Sequence, residues 1–336
     1  MPQLPRRTLL LSSGACVLAI ATATLGTPAF SQAPAYPAKP ILIKVAFPAG
    51  GPADASIRAA SVVLQRGLGQ TLVADSMPGA NGSIAAMHVL NAVPDGYTLL
   101  GTTGIDFLVA PFTVATAKYQ PANFKLLGVV GISDFVLVSS SAHAFKNIDE
   151  LIDYARKPAN KQLSIAHWGT GSAPHLVAAD FQARAGIQLL EVPYKGAAPT
   201  ITDVAGGQVD LTFIPLGGPT LGMIQNGKLR PIGVASAKRN PALPDVPAIG
   251  ESAKLKDFEY SLWSALLAPP RTPDAVVARW TGAMNEWITS PENLARITTN
   301  ASRRLDPMTP AQAAAFLKTE YDKFNRVARS LKLDPQ

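Results

Sequence analysis

ILIKVAFPAGGPAD, running from Ile41 to Asp54, is the stretch whose reading decides the fold. Ile41 to Phe47 is an apolar, β-branched run of strand type. Pro48, Ala49, Gly50 and Gly51 follow as a hinge, and Pro52 and Asp54 suit the first turn of a helix, one by its preset φ and the other by its charge. A strand that turns into a helix over glycines aims backbone N–H groups at one point, where the positive end of the helix dipole favours a negative group. The stretch predicts a carboxylate or phosphate cradle. An ordinary βα turn that binds nothing has the same local sequence.

Outward from this turn the pattern repeats. Strand-type runs fall at Thr71 to Asp75, Tyr97 to Thr102, Phe135 to Ser139, Leu163 to Ala166, Leu189 to Val192, Val209 to Ile214 and Ile232 to Ala235. Helical patterns lie between them, such as the face Ile57, Ala60, Leu64 and Leu68. This alternation predicts α/β units and largely parallel sheets. Asn147 with Glu150, and Thr309 with Gln312 ahead of Pro310, predict capping boxes, and Thr272, Pro273 and Asp274 predict another capped helix start. The last helix carries Leu317, Tyr321, Phe324, Ala328 and Leu331 on one stripe, which should pack against a sheet.

Towards the N-terminus, residues 1–35 read as a secretory signal peptide: Arg6 and Arg7, an apolar run from Leu9 to Leu25, then small residues around Ala29 to Ala35. The Arg6-Arg7 string resembles a twin-arginine signal, and a paired arginine also occurs in ordinary export signals, so both routes stay open. Cys16 is the sole cysteine and lies in that run, so the mature chain has no thiol for disulfides, metal sites or nucleophilic catalysis. No later run is long enough to cross a bilayer, so no stable membrane insertion is expected once the signal is removed. Losing Arg6 and Arg7 leaves 28 Lys+Arg against 23 Asp+Glu, a net +5 spread along the chain. That balance shows no basic stripe for nucleic acid and suits small anionic ligands. About 300 mature residues exceed what one hydrophobic core usually serves, which predicts two domains.

Gly-rich or hydroxyl-bearing turns recur where predicted strands end: Met77-Pro78-Gly79-Ala80-Asn81-Gly82, Thr102-Thr103-Gly104, His167-Trp168-Gly169-Thr170-Gly171-Ser172 and Pro193-Tyr194-Lys195-Gly196. In open α/β sheets, ligands bind in the crevice outside those strand ends. Each member has a plainer role open to it. Thr170 and Ser172 suit helix caps, Asp54 suits a cap of its own helix, and His175 suits orienting the loop. Trp168 and Phe107 fit either the core or stacking on a ligand.

Catalytic motifs fail on inspection. Gly169 to Ala173 lacks the flanking glycines of a nucleophile elbow and the third glycine of a dinucleotide fingerprint. Gly222 to Leu229 approaches a phosphate loop but has leucine in place of the hydroxyl that would hold magnesium. His88, His143, His167 and His175 show no metal spacing, and His167 and His175 have no acidic third ligand nearby in sequence. No cofactor and no metal are expected.

Taken in order, YPAKPILIKVAFPAGGPAD, MPGANG, VPDGYTLLGTTG, GTGSAPHL, VPYKGAAPTITDVAGGQVDLTF, NGKLR, GVASAKRNPALPDVPAIGE and LWSALLAPPRTP resemble the extracytoplasmic solute-binding proteins of tripartite tricarboxylate transporters, the Bug family. The resemblance implies a type II periplasmic-binding-protein-like α/β fold, with two lobes joined by crossover strands and a ligand cleft between them. It places lobe 1 at 36–134 and 262–336 and lobe 2 at 135–261, with crossings near Ser133 to Phe135 and Tyr260 to Trp263. It implies a monomeric periplasmic protein that captures a small organic anion and hands it to membrane transporter subunits. A ligand-presenting sensor for a receptor kinase, or a hydrolase using Ser172 and His175, are the alternatives.

The site carried over comprises Phe47, Pro48, Ala49, Gly50, Gly51 and Asp54 from the first loop and Thr102 and Thr103 from a third. Trp168, Gly169, Thr170, Gly171, Ser172 and His175 come from the second-lobe loop, and Tyr194, Lys195 and Gly196 from a fourth. Asn81, Asp106, Phe107 and Trp168 depart from the family pattern, and they bear on the distal half of the ligand.

Overall fold

The computed structural model describes residues 35–331. The expected export signal and Cys16 fall on residues outside those described. No helix among the described residues is long and apolar enough to cross a membrane.

The opening stretch folds as strand β1 (Ile41–Val45), a glycine turn and helix α1 (Pro52–Leu68). Ile41, Ile43 and Val45 are fully buried, and the α1 face of Ile57, Ala60, Leu64 and Leu68 closes over them. Fully burying such a side chain stabilises by roughly 1.5 to 3 kcal/mol, so this face fixes where α1 lies and hence where its N-terminus points. Then come β2 (Leu72–Ser76), a 3-10 turn at Ala80–Gly82, α2 (Ser83–Leu90), β3 (Thr98–Thr103) and α3 (Gly104–Thr113).

A 16-residue strand, β4 (Lys125–Ser140), leads to α4 (Ile148–Ala155), β5 (Ser164–His167), α5 (Ala173–Ala185), β6 (Leu190–Pro193) and α6 (Ala197–Ala205). After β7 (Leu211–Pro215), α7 (Gly218–Gln225) and β8 (Leu229–Val234), strand β9 (Ser261–Ala268) returns to the first part of the sheet. Helices α8 (Asp274–Thr289), α9 (Pro291–Asn300) and α10 (Pro310–Ser330) finish the chain.

The strands order as β2-β1-β3-β9-β4-β7-β5-β6, with β8 also on β4. β1 pairs in parallel with β2 and β3, and β5 with β6 and β7. β4 and β9 run antiparallel to their neighbours, so the sheet is mixed rather than largely parallel. The junction of the two ladders is the middle of β4. Lys125 to Asp134 pair with β9, whereas Phe135 to Ser140 pair with β7 and β8. There the Phe135 amide donates to Tyr260 and the Leu216 amide to Asp134. Asp134 itself is buried, its Oδ1 has no hydrogen-bond partner, and Arg303 lies 3.6 Å away.

The capping expectations divide. The Asn147 side chain accepts from the Glu150 amide, and Thr309 with Gln312 forms a complete capping box. Thr272 does not cap α8: Pro273 takes the N-cap position and the buried Thr272 hydroxyl has no partner. On α10, Leu317, Phe324 and Ala328 are buried, with Tyr321 and Leu331 half-buried beside them. α10 packs on α3 and β4.

Candidate functional site

The parallel units bring the carboxyl ends of β1, β3, β5 and β6 to loops that enter helices, as the turn-rich sequence predicts. Three contacts knit these loops. A Cβ added to Gly82 would stand 3.0 Å from Ala46, 3.6 Å from Thr102 Oγ1 and 3.7 Å from the Phe47 ring. The Asn81 amide nitrogen donates to Thr113 Oγ1 at 3.4 Å, and a Cβ added to Gly171 would meet Thr113 Cγ2 at 2.5 Å. The Asp106 carboxylate accepts from the Ala173 amide at 3.3 Å and from the Thr103 hydroxyl at 2.6 Å. Gly169 in turn packs beneath the backbone of Tyr194.

Asn81 adopts φ +50, a left-handed conformation that asparagine tolerates better than most residues, which suits it to a place where glycine would otherwise stand. Gly171 has φ +77 and no room for a side chain. Thr113 and the Ala173 amide are members of this junction that the sequence reading missed. Neither carries a local signal, because each matters only through what the fold brings against it.

The first loop differs from its expectation. The Gly50 amide donates to Asp54 Oδ2 at 2.9 Å and the Gly51 amide to the Pro48 carbonyl at 3.2 Å, so both glycine amides are engaged inside the loop. Asp54 is buried and also takes the Arg58 guanidinium at 2.9 Å. That hydrogen bond, with help from the Gly50 amide, holds its carboxyl below the usual carboxylate range despite burial. Pro48, Ala49 and Gly50 are exposed, and Phe47 is half-buried.

The second loop is the reverse. Ser172 occupies the N-cap of α5 but makes no capping bond, and its Oγ is buried without a partner. Trp168 Nε1 is likewise buried without a partner. His175 orients the loop, since its Nδ1 accepts the Gly171 amide at 3.0 Å, while His167 Nδ1 accepts the Gly169 amide at 3.3 Å. Thr170 is exposed.

Two expectations need correction. Phe107 is 1 % exposed on α3, stacked on Tyr119 with centroids 5.3 Å apart and edge-on to Phe124, so its ring belongs to the core and has no face for a ligand. The second concerns the histidines, which do have an acidic neighbour: Glu191 lies 3.5 Å from His175 Nε2, and His167, His175 and Glu191 offer ligand atoms within 4.8 Å of one another. Metal-binding histidines usually donate their second ring N–H outward. Here both Nδ1 atoms accept backbone amides, which leaves the proton on Nε2, and His175 presents that nitrogen to Glu191. Its bond to His175 lowers the Glu191 pKa, and burial together with nearby His175 lowers that of His167.

Around these loops, Thr102 Oγ1 donates to the Thr103 carbonyl at 3.2 Å. The Tyr194 hydroxyl donates to Asp203 at 2.7 Å, which pushes its pKa up to about 12, and Lys195 is exposed. Burial raises the Asp106 pKa, against the pull of the Thr103 and Ala173 hydrogen bonds. Two open grooves lie elsewhere, one of about 750 Å³ bounded by Leu90, Pro111, Val114 and Tyr119, the other of about 500 Å³ beside His143 and Phe145. Both lack the buried, unpartnered donors of the loop junction.

Comparison with known proteins bears on the family and the fold. The pattern described as tripartite tricarboxylate transporter family receptor matches residues 57–333. Protein BugT of Bordetella pertussis is 31 % identical over 323 residues, spanning 93 % of this chain and 95 % of that protein. The structure of periplasmic binding protein BugD superposes with a TM-score of 0.76 at 32 % identity, covering 90 % of this chain and all of that one. MatC from Rhodopseudomonas palustris, solved with bound malate, gives 0.75 at 25 % identity over 87 % of this chain and all of its own. These similar structures are of binding proteins, not enzymes. The chain belongs to the tripartite tricarboxylate transporter receptor family, the Bug family of periplasmic binding proteins.

Proposed function

We propose that the chain is a periplasmic solute-binding protein that captures a small organic carboxylate and delivers it to a tripartite tricarboxylate-type transporter. The observation that carries this reading is the pair of buried, unpartnered groups at the N-terminus of α5, Ser172 Oγ and Trp168 Nε1. Leaving a buried donor unmade costs about 1 to 3 kcal/mol, and a ligand carboxylate satisfies both at the positive end of a helix. Malate in the MatC structure supports the same ligand class. The Ser172 and Trp168 donors, with Asn81, Gly169 and Gly171 shaping the walls, form the binding surface.

Capture with micromolar affinity needs about 8 kcal/mol, within reach of several charge-assisted hydrogen bonds of about 1.5 to 3 kcal/mol each, less the cost of ordering the ligand. Closure of two lobes over the ligand is part of this reading. Asn81, Thr113 and Asp106 lie before the middle of β4, and Gly171, Ser172 and Ala173 after it, so only the closed form presents both groups to one ligand. The hydrolase alternative is disfavoured because His175 Nδ1 is held by the Gly171 amide and Ser172 Oγ has no base against it. The family model and the export leader support delivery in the periplasm.

The test is a thermal-shift screen over aliphatic and aromatic mono- and dicarboxylates, followed by recovery of the bound compound. A saturable rise in melting temperature with unchanged ligand is expected. Turnover of the compound, or a flat response across the whole screen, refutes the reading.

A further inference from the structure

Asp106 is held between two helix N-termini. It is the third residue of α3, its Oδ1 accepts the amide of Ala173, the first residue of α5, and its Oδ2 accepts the Thr103 hydroxyl. It is 6 % exposed. Both helix ends favour a negative charge there. A carboxylate offers about four lone-pair sites, so acceptor capacity remains after these bonds. One residue before Ala173, Ser172 is 5 % exposed with an unpartnered hydroxyl, and Trp168 Nε1 has no acceptor.

These groups make opposite demands. An indole N–H only donates and a serine hydroxyl can donate, so Trp168 and Ser172 call for an acceptor. Asp106 calls for a donor and repels an anion at close range, where low dielectric strengthens the repulsion. Ser172 and the Asp106-bound Ala173 are consecutive, so both demands fall on one small fragment of the ligand. Asp106 already takes the α5 amide that a second ligand carboxylate would use.

Resting on the carboxylate-binding reading above, we propose that Asp106 is the selectivity residue: the chain takes a carboxylate bearing a hydroxyl or ammonium on the adjacent carbon, and Asp106 excludes a second carboxylate from that place. A hydroxyl or ammonium satisfies the remaining lone pairs of Asp106, whereas an unsubstituted acid leaves them unmet. The departure of Asp106 from the family pattern then sets ligand identity rather than fold.

Calorimetric titration of the wild type and Asp106→Asn with two matched series tests this: propionate, lactate, alanine and methylmalonate, and 3-phenylpropionate, 3-phenyllactate, phenylalanine and benzylmalonate. In at least one series the wild type should bind the 2-hydroxy and 2-amino acids about tenfold or more tighter than the parent acid, and the second carboxylate more weakly than the parent. Asp106→Asn should lose the ammonium preference and admit the second carboxylate. Ser172→Ala should weaken every member that binds without changing their rank. A wild type that ranks parent and substituted acids equally, or prefers methylmalonate and benzylmalonate, overturns the assignment while leaving the carboxylate reading standing. An unchanged rank in a folded Asp106→Asn does the same. Failure of every acid in both series to bind the wild type overturns both.

Discussion

Two glycine loops at strand ends look alike in sequence, PAGG at 48–51 and GTGS at 169–172, yet they stand in opposite states. In the first, the Gly50 and Gly51 amides are met by Asp54 and Pro48, and much of the loop faces solvent. In the second, two histidines hold the glycine amides, and the buried Ser172 and Trp168 donors have no partner. The comparison teaches that capacity to bind lies in buried donors left without acceptors. Glycines bring the chain close, and what remains unpaired decides whether anything is recognised.

The largest expected difference comes from filling the two glycines. Gly171→Ala must adopt a left-handed φ of +77 and drive its methyl against Thr113, a loss of about 3 kcal/mol. Gly50→Ala carries a similar φ of +81 but meets nothing within 4 Å, so strain alone should cost about 1 kcal/mol. Urea unfolding of both variants checks this, and equal losses would mean the second loop is no tighter than the first. Next, His175→Phe keeps a ring against His167 but strips the Gly171 amide of its acceptor, an expected loss of about 2 kcal/mol. A fully stable variant would show that the histidine does not hold the loop.

Ser172→Ala should weaken ligand binding by about 1 kcal/mol while leaving the unliganded protein as stable as the parent or more so, because the hydroxyl makes no internal bond. Loss of stability without loss of affinity would turn Ser172 into a structural cap.

The smallest effect sets the two loop aspartates apart by pH. Asp54 is held low by Arg58, so its stabilisation is present above the unfolded carboxyl range near about pH 4 and is lost as pH falls through its folded value. Asp106 is raised by burial, so its ionisation destabilises, and that cost fades as pH falls from its folded value towards the unfolded range. On acidification the wild type should therefore lose stability relative to Asp54→Asn and gain it relative to Asp106→Asn. Urea midpoints across the acid range read both differences, and shifts of the same sign contradict the assignment of the two environments.

The sequence disclosed what is local. β1, β3, β5, β7 and β8 were legible because each is a short, largely buried apolar run bounded by turn residues, β6 because an apolar run meets a Pro/Gly turn, and α1 because Ile57, Ala60, Leu64 and Leu68 recur at helical spacing. The first ten residues of β4 were not, because Gly128 and Gly131 interrupt the strand pattern. A Cβ on Gly128 would meet Met284 of α8 at 2.8 Å, so that glycine answers to a helix about 150 residues away. β9 escaped for a related reason: its pairing with β3 and β4 is wholly long-range, and this is what makes the sheet mixed. At the site, the loops were legible and their internal accounting was not. In sequence Phe107 sits just after Gly104, a place that suits a ligand-facing ring, but Gly104 begins a helix that sets Phe107 against Tyr119 and Phe124. The nearness of Glu191 to His175 likewise depends on β5 and β6 lying side by side.

β4 carries both ladders on one uninterrupted backbone, with Asp134 buried at the changeover. Hydrogen-bonded on either side, such a strand cannot slip by one residue without turning its side chains to the opposite face. β4 therefore ties the residues before Asp134 and those after it into one continuous sheet, so a disturbance at its midpoint is felt in both ladders.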